Sequence, residues 1–284
     1  MTQTFKAACL QLNSQREVEP NIAALEMLAR RAREQGAELI MTPEVSDMIE
    51  PERALRFEKA RVEAEHPMLA AAQRLARELD VHLLLGSLVV RVDSETLANR
   101  SFLINPEGAI VQRYDKIHMF DVNLPNGERY RESAVFRPGA EAVVAPLPWG
   151  VLGMTVCYDL RFPQLYRALA HAGADFLTIP SAFTVPTGRA HWQVLMRARA
   201  IETGCFVFAP AQWGEHAKGR KTYGHSIIVA PWGEVLAEAE DGVGSIIAEI
   251  DPAKVLEARQ QVPSLSHDRP FKVPIPLKKP LAAE

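Results

Sequence analysis

The sequence predicts an α/β protein built from two mixed β-sheets packed face to face, with helices on the outside. Three observations predict it. Short apolar runs with strand character alternate with stretches of helical spacing, and the second half repeats the alternation of the first. Several runs are joined by tight-turn chemistry, which argues against an all-parallel, doubly wound sheet. The chain is 48% hydrophobic and 24% charged, which excludes a disordered or collagen-like protein. No linker or low-complexity segment divides the 284 residues. A single domain over 1–262 is expected, followed by a Pro-rich tail over 263–284.

The elements follow in order. Residues 5–12 form a strand-like run. Pro20 sits where a first helical residue is tolerated, and Ile22, Leu25, Leu28, Ala29 and Ala32 follow at helical spacing. Gly36 ends that helix, and 37–41 reads as a buried strand. A second helix carries Met68, Leu69, Ala72, Leu75, Ala76 and Leu79 on one face. Strands are predicted over 81–85 and 88–90, with Gly86 between them. Residues 101–105 and 110–114 form a hairpin through Asn105-Pro-Glu-Gly. In the second half, strands are predicted over 151–156, 176–179, 206–209, 227–230, 235–238 and 245–250. Helices are predicted over 164–171 and 191–203, and a short one starts at Asp251-Pro-Ala-Lys. The five prolines from Pro263 to Pro280 suit an extended tail laid on a partner subunit.

Charge and cysteine usage narrow the function. A net charge of -3 gives no basic field for nucleic acid or anionic membrane. Cys9, Cys157 and Cys205 are few, odd in number and far apart, which fits a reducing cytosol better than a disulfide framework. No spacing of His and Cys suits zinc. The first residues lack signal-peptide character, and no apolar stretch is long enough to span a membrane. A cytoplasmic protein with a small-molecule or protein partner is expected.

Three residues at strand ends carry the chemistry. Cys157 closes an apolar strand and precedes Tyr158-Asp-Leu-Arg-Phe-Pro. There, helix-start amides stabilise a thiolate, and the Tyr158 N–H offers an oxyanion donor. Taken alone, Cys157 reads more readily as a buried structural cysteine. Glu44 follows a strand in Thr42-Pro-Glu and could be a general base or an ordinary loop carboxylate. Lys116 follows another strand and is either partly buried with a partner or a surface lysine. Together they supply a nucleophile, a base and an oxyanion cation, the three roles acyl transfer needs. A Cys–His arrangement using His118, His191 or His225 stays open on spacing alone.

Thr42-Pro-Glu44, Tyr114-Asp-Lys116-Ile-His-Met-Phe-Asp and Gly153-Met-Thr-Val-Cys157-Tyr-Asp-Leu-Arg161-Phe-Pro resemble, in order and spacing, the nitrilase superfamily of carbon–nitrogen hydrolases. The resemblance covers residues 4–270. It implies a four-layer α-β-β-α sandwich and a homodimer or dimer-based oligomer. It makes Cys157 the nucleophile, Glu44 the base, and Lys116 and the Tyr158 N–H the oxyanion donors. The family's second glutamate falls on Glu128, which would position Lys116 or assist the base. The implied chemistry passes through a thioester and needs no metal or organic cofactor.

The segment from Ser181 to Glu202, Tyr223-Gly-His-Ser and Pro231-Trp-Gly-Glu are similar to the branch of deaminated glutathione amidases and ω-amidases, with carbamoyl-amine hydrolases as a more distant alternative. In that branch, Arg161 and Thr187 would bind the keto-acid end of the substrate. A guanidinium suits a carboxylate through two parallel hydrogen bonds. The basic loop 214–221 places Lys218, Arg220 or Lys221 for a far carboxylate, or for solvent. Trp213 would narrow or reshape the leaving-group side.

Overall fold

The computed structural model describes residues 3–124 and 127–272. The chain forms the expected α-β-β-α sandwich from two six-stranded mixed sheets. The first runs, in spatial order, Gly244–Ile250, Phe5–Gln11, Leu39–Met41, His82–Arg91, Leu97–Ile104 and Ile110–Asp115. The second runs Val235–Glu238, Ile227–Val229, Phe206–Ala209, Phe176–Thr178, Gly150–Met154 and Val143–Leu147. In each, the three central strands are parallel and the flanking strands antiparallel.

The period-2 alternation of strands builds two layers of core. On Phe5–Gln11, Ala7 and Cys9 pack toward the second sheet with Leu152, Met154 and Phe176. Ala8 and Leu10 pack the other way, against Leu25, Leu28 and Ala29 of helix Val18–Glu34 and Met68 and Leu75 of helix Pro67–Leu79. Helices Pro163–His171 and Val185–Thr203 cover the second sheet through Leu165, Leu169, Trp192 and Met196. Each large aliphatic side chain so buried contributes about 2 kcal/mol.

Several boundaries move, each for a local reason. Strand His82–Arg91 runs unbroken through Gly86, where the pairing shifts register. A Cβ there would lie 2.0 Å from the Thr42 carbonyl oxygen, so this glycine lets the Pro43–Glu44 loop cross the strand. The helix expected over 191–203 begins at Val185. Pro186 is tolerated in its first turn, and Gly188 interrupts the helical signal because the Tyr223 ring occupies the space a Cβ would need, 2.2 Å away. Pro20 is the third helical residue rather than the first. Helix Arg53–Lys59, the edge strand Val143–Leu147 and two small hairpins, Asp121–Asn123 with Arg129–Arg131 and Trp213–Glu215 with Lys221–Tyr223, have no signal in the periodicity.

The described start of the tail packs on its own chain. The short helix Ser264–His267 lies against helices Pro163–His171 and Val185–Thr203, and Asp268 accepts from Arg167 and, at 3.0 Å, from His171. Residues 273–284 of the expected tail lie outside the described residues. Among the described residues, no helix is long and apolar enough to cross a membrane.

Candidate active site

Cys157, Glu44 and Lys116 meet in one cavity of about 300 Å³ where the strand ends of the two sheets face each other. Cys157 opens a 3-10 turn, Cys157–Arg161, directly after the second sheet's central strands. Its φ of +51° places it in the left-handed region, a strained setting for a non-glycine residue. Its N–H donates to the Pro180 carbonyl at 2.9 Å, which fixes the turn. The Tyr158 N–H comes second in that turn, where no carbonyl inside the helix can accept it. Asp159 holds the turn from below. Its buried carboxylate accepts from the Val156 N–H at 2.9 Å, the Tyr114 hydroxyl at 2.7 Å, and the His118 N–H and Nδ1 at 3.0 and 2.7 Å. Tyr114 and His118 flank Lys116, so one carboxylate ties the cysteine turn to the lysine segment.

Glu44 sits on the loop leaving strand Leu39–Met41, beside Val45 with a φ of +49°. For a β-branched residue that is a genuine outlier. Oε1 of Glu44 accepts from Lys116 Nζ at 2.8 Å and from Asn99 Nδ2 at 3.0 Å, and Oε2 accepts from the Ala182 N–H at 2.9 Å. The Cys157 thiol lines the same cavity and also favours the charged form of this carboxylate. Burial would push Glu44 up, but the Lys116 charge and these hydrogen bonds outweigh it and hold the carboxyl below its ordinary range. Burial and the Glu44 charge push the Cys157 thiol well up, against the opposing pull of Lys116. Burial would lower Lys116, but Glu132 and Glu44 keep it protonated. The resting site therefore holds a neutral thiol beside an ionised base and a fixed ammonium.

The second carboxylate on that ammonium is Glu132, which corrects the expectation for Glu128. Lys116 Nζ donates to Glu132 Oε1 and Oε2 at 2.9 and 2.8 Å. The Phe120 N–H and Asn99 Nδ2 hold the same carboxylate at 2.6 and 3.1 Å. Glu128 is exposed, and its carboxylate accepts the Tyr130 hydroxyl at 2.6 Å. The sequence reading missed Asn99 and Glu132. Asn99 had a signal, a polar residue on a strand buried on both sides. The choice of Glu132 over Glu128 depends on the hairpin between them.

The other predicted residues divide. Thr187 lines a small recess that shares Cys157 and Phe120 with the main cavity, and its hydroxyl meets that of Thr184 at 2.8 Å. Arg161 bonds His191 Nδ1 at 3.2 Å and lies over the Phe183 ring, which lines that recess. His118 stacks on Phe162, and His225 on Tyr223. None of His118, His191 and His225 lines the cavity, so the Cys–His arrangement gives way to the carboxylate one. From the basic loop, Arg220 alone lines the cavity, while Lys218 pairs with Glu52 and Lys221 with Glu215 on the surface. Trp213 turns its indole N–H to Asp241 and does not narrow the cavity.

A thiol, a buried carboxylate and a fixed ammonium lie together on an α-β-β-α frame, an arrangement suited to acyl transfer. The sequence profile of the family described as Carbon-nitrogen hydrolase matches residues 6–260, and the chain belongs to that family. It is 42% identical over 268 residues to a protein from Synechocystis sp. (strain PCC 6803 / GT-S) named deaminated glutathione amidase, covering 93% of this chain and 97% of that one. It is 40% identical over 271 residues to the Homo sapiens protein of the same name, covering 93% of this chain and 82% of that one. The crystal structure of the Caenorhabditis elegans NitFhit protein superposes with a TM-score of 0.89 at 36% identity, covering 94% of this chain and 66% of that one. Saccharomyces cerevisiae Nit3, a member of branch 10 of the nitrilase superfamily, gives 0.82 at 28% identity, covering 92% and 95%.

Proposed function

We propose that the protein hydrolyses the amide of deaminated glutathione to α-ketoglutarate and cysteinylglycine, through a thioester on Cys157. The observation that carries the chemistry is Lys116 clamped between Glu44 and Glu132 beside the thiol. The substrate rests on the names of the similar proteins.

Cys157 Sγ attacks the amide carbon and passes its proton to Glu44. The developing oxyanion is met by Lys116 and the Tyr158 N–H. Glu44 returns the proton to the leaving nitrogen, the C–N bond breaks and the thioester remains. Glu44 then takes a proton from water, whose oxygen attacks the thioester carbon. The Cys157 sulfur leaves and regains the proton. Glu132 and Asn99 position Lys116 and Glu44. Arg161 and Thr187 bind the keto-acid end, a reading supported by Thr187 in the recess next to Cys157 and by Arg161 over its Phe183 wall. The same proposal includes a homodimer in the cytosol. Exposed Val194 and Ile201 on helix Val185–Thr203 support the dimer, and three free thiols support a reducing compartment.

The test is α-ketoglutarate release from deaminated glutathione and from α-ketoglutaramate, with Cys157→Ala alongside. The expected outcome is a preference for the longer substrate of tenfold or more, about 1.4 kcal/mol, lost in the variant. A preference for α-ketoglutaramate would make the protein an ω-amidase instead.

A further inference from the structure

The cavity wall is far more cationic than the chain as a whole. Six Arg and Lys side chains line it with three carboxylates, in a protein of net charge -3. The carboxylates are already engaged. Glu44 and Glu132 hold Lys116, and Glu50 is held by Arg16 at 2.8 Å and Lys59 at 3.2 Å. Among the described residues, no ion pair joins Arg56 or Arg220 to a carboxylate.

Both guanidiniums nevertheless rest against neutral groups, Arg56 more firmly than Arg220. Arg56, on helix Arg53–Lys59, donates Nε to the Glu50 carbonyl at 2.8 Å and lies over Phe136. Arg220 donates to the Ala182 carbonyl at 3.5 Å and lies over Tyr130. Burial, and then the charge of Arg220, press the Arg56 guanidinium below its ordinary range. Two like charges facing one cavity repel each other, an effect that the nearby Glu50 and Glu132 charges offset only in part, and an entering anion would relieve it.

We propose that Arg56 and Arg220 form a two-armed clamp for a carboxylate on the amine side of the substrate, the C-terminal carboxylate of the cysteinylglycine portion. The geometry assigns the side. Glu44, which must protonate the leaving nitrogen, opens into the same cavity as the two arginines. The recess at Thr187 shares Phe120 and Cys157 with that cavity and has neither arginine in its wall, which leaves it for the acyl end. Planar guanidiniums suit a carboxylate by paired N–H donors. Holding them in advance on carbonyls and rings reduces the ordering cost of binding. The clamp deepens the amidase reading above and rests on it for the identity of the ligand.

The experiment compares deaminated glutathione with its C-terminal amide, using wild type, Arg56→Met, Arg220→Met and Arg56→Lys. In parallel, calorimetry on Cys157→Ala follows binding of N-acetyl-cysteinylglycine and its C-terminal amide. Wild type is expected to favour the free acid by about tenfold or more in kcat/KM, mostly through KM. Either Met variant should bring the ratio near one, and Arg56→Lys should keep part of it. Equal turnover of acid and amide by wild type would overturn the clamp and leave the amidase reading standing. A ratio that survives both Met substitutions would also overturn it. So would equal losses on acid and amide, which would place the arginines on the keto-acid end. If wild type releases α-ketoglutarate from neither, the amidase reading fails, and calorimetry decides the clamp. Tighter binding of the acid than the amide, lost when Arg56→Met or Arg220→Met is added, would support it. Equal binding would overturn it.

Discussion

In the proposed mechanism Glu44 must be ionised to take the Cys157 proton, and its surroundings decide the pH at which that holds. Lys116, Asn99 and the Ala182 N–H all favour the charged carboxylate, so its titration falls below the ordinary carboxylate value of about 4.3. The thiol moves the other way and stays protonated at neutral pH. The sign follows. The base is competent at every pH above its lowered pKa, and no thiolate has to form before substrate arrives. The expected kcat/KM profile is therefore flat from about pH 5 to 8, with an acid limb below the ordinary carboxylate range. A rate that instead rose about tenfold per unit through neutral pH would mean that a preformed thiolate is the reactive species. Cys157, Glu44 and Lys116 were legible in the sequence as a set, because each follows a strand and together they supply complementary roles, although each taken singly had an ordinary structural reading. Their charge states were not, because those depend on which groups burial brings together.

At the scale of elements, strands and helices were legible wherever one face is apolar, and boundaries failed where tertiary contacts overrule local pattern. Gly86 looked like a break between two strands, yet it serves the crossing of the Glu44 loop. Gly188 hid the first turn of a helix because Tyr223 packs on it. The hairpin Asp121–Asn123 with Arg129–Arg131 has the largest consequence. It delivers the next residue, Glu132, to Lys116 and leaves Glu128 at the exposed rim. Strands as short and polar as Asp-Val-Asn and Arg-Tyr-Arg carry no apolar run to be read from sequence, so the choice between two glutamates four positions apart was beyond it. Glu132→Gln is expected to lower kcat by about 10²-fold, as the oxyanion cation loses its fixed position. Glu128→Gln should cost far less. Steady-state kinetics on both variants, with melting curves to check folding, would reverse the assignment if Glu128→Gln proved the more damaging.

For the molecule as a whole, the sandwich is a device for bringing the ends of two sheets to one place. The first sheet supplies Glu44 and Lys116, the second supplies Cys157, and Asp159 joins the two. The α/β class and the two-layer arrangement were legible because alternation repeats along the chain, whereas the cavity was not, since its wall draws Arg56, Glu132 and Arg220 from segments far apart in sequence. The central claim is that this shared site forms a thioester on Cys157. The direct measurement is turnover of deaminated glutathione with increasing hydroxylamine, in wild type and Cys157→Ala. The account predicts that hydroxamate appears at the expense of α-ketoglutarate, that cysteinylglycine release does not slow, and that Cys157→Ala makes neither product. Turnover that yields no hydroxamate at any hydroxylamine concentration, or that persists in Cys157→Ala, would contradict it.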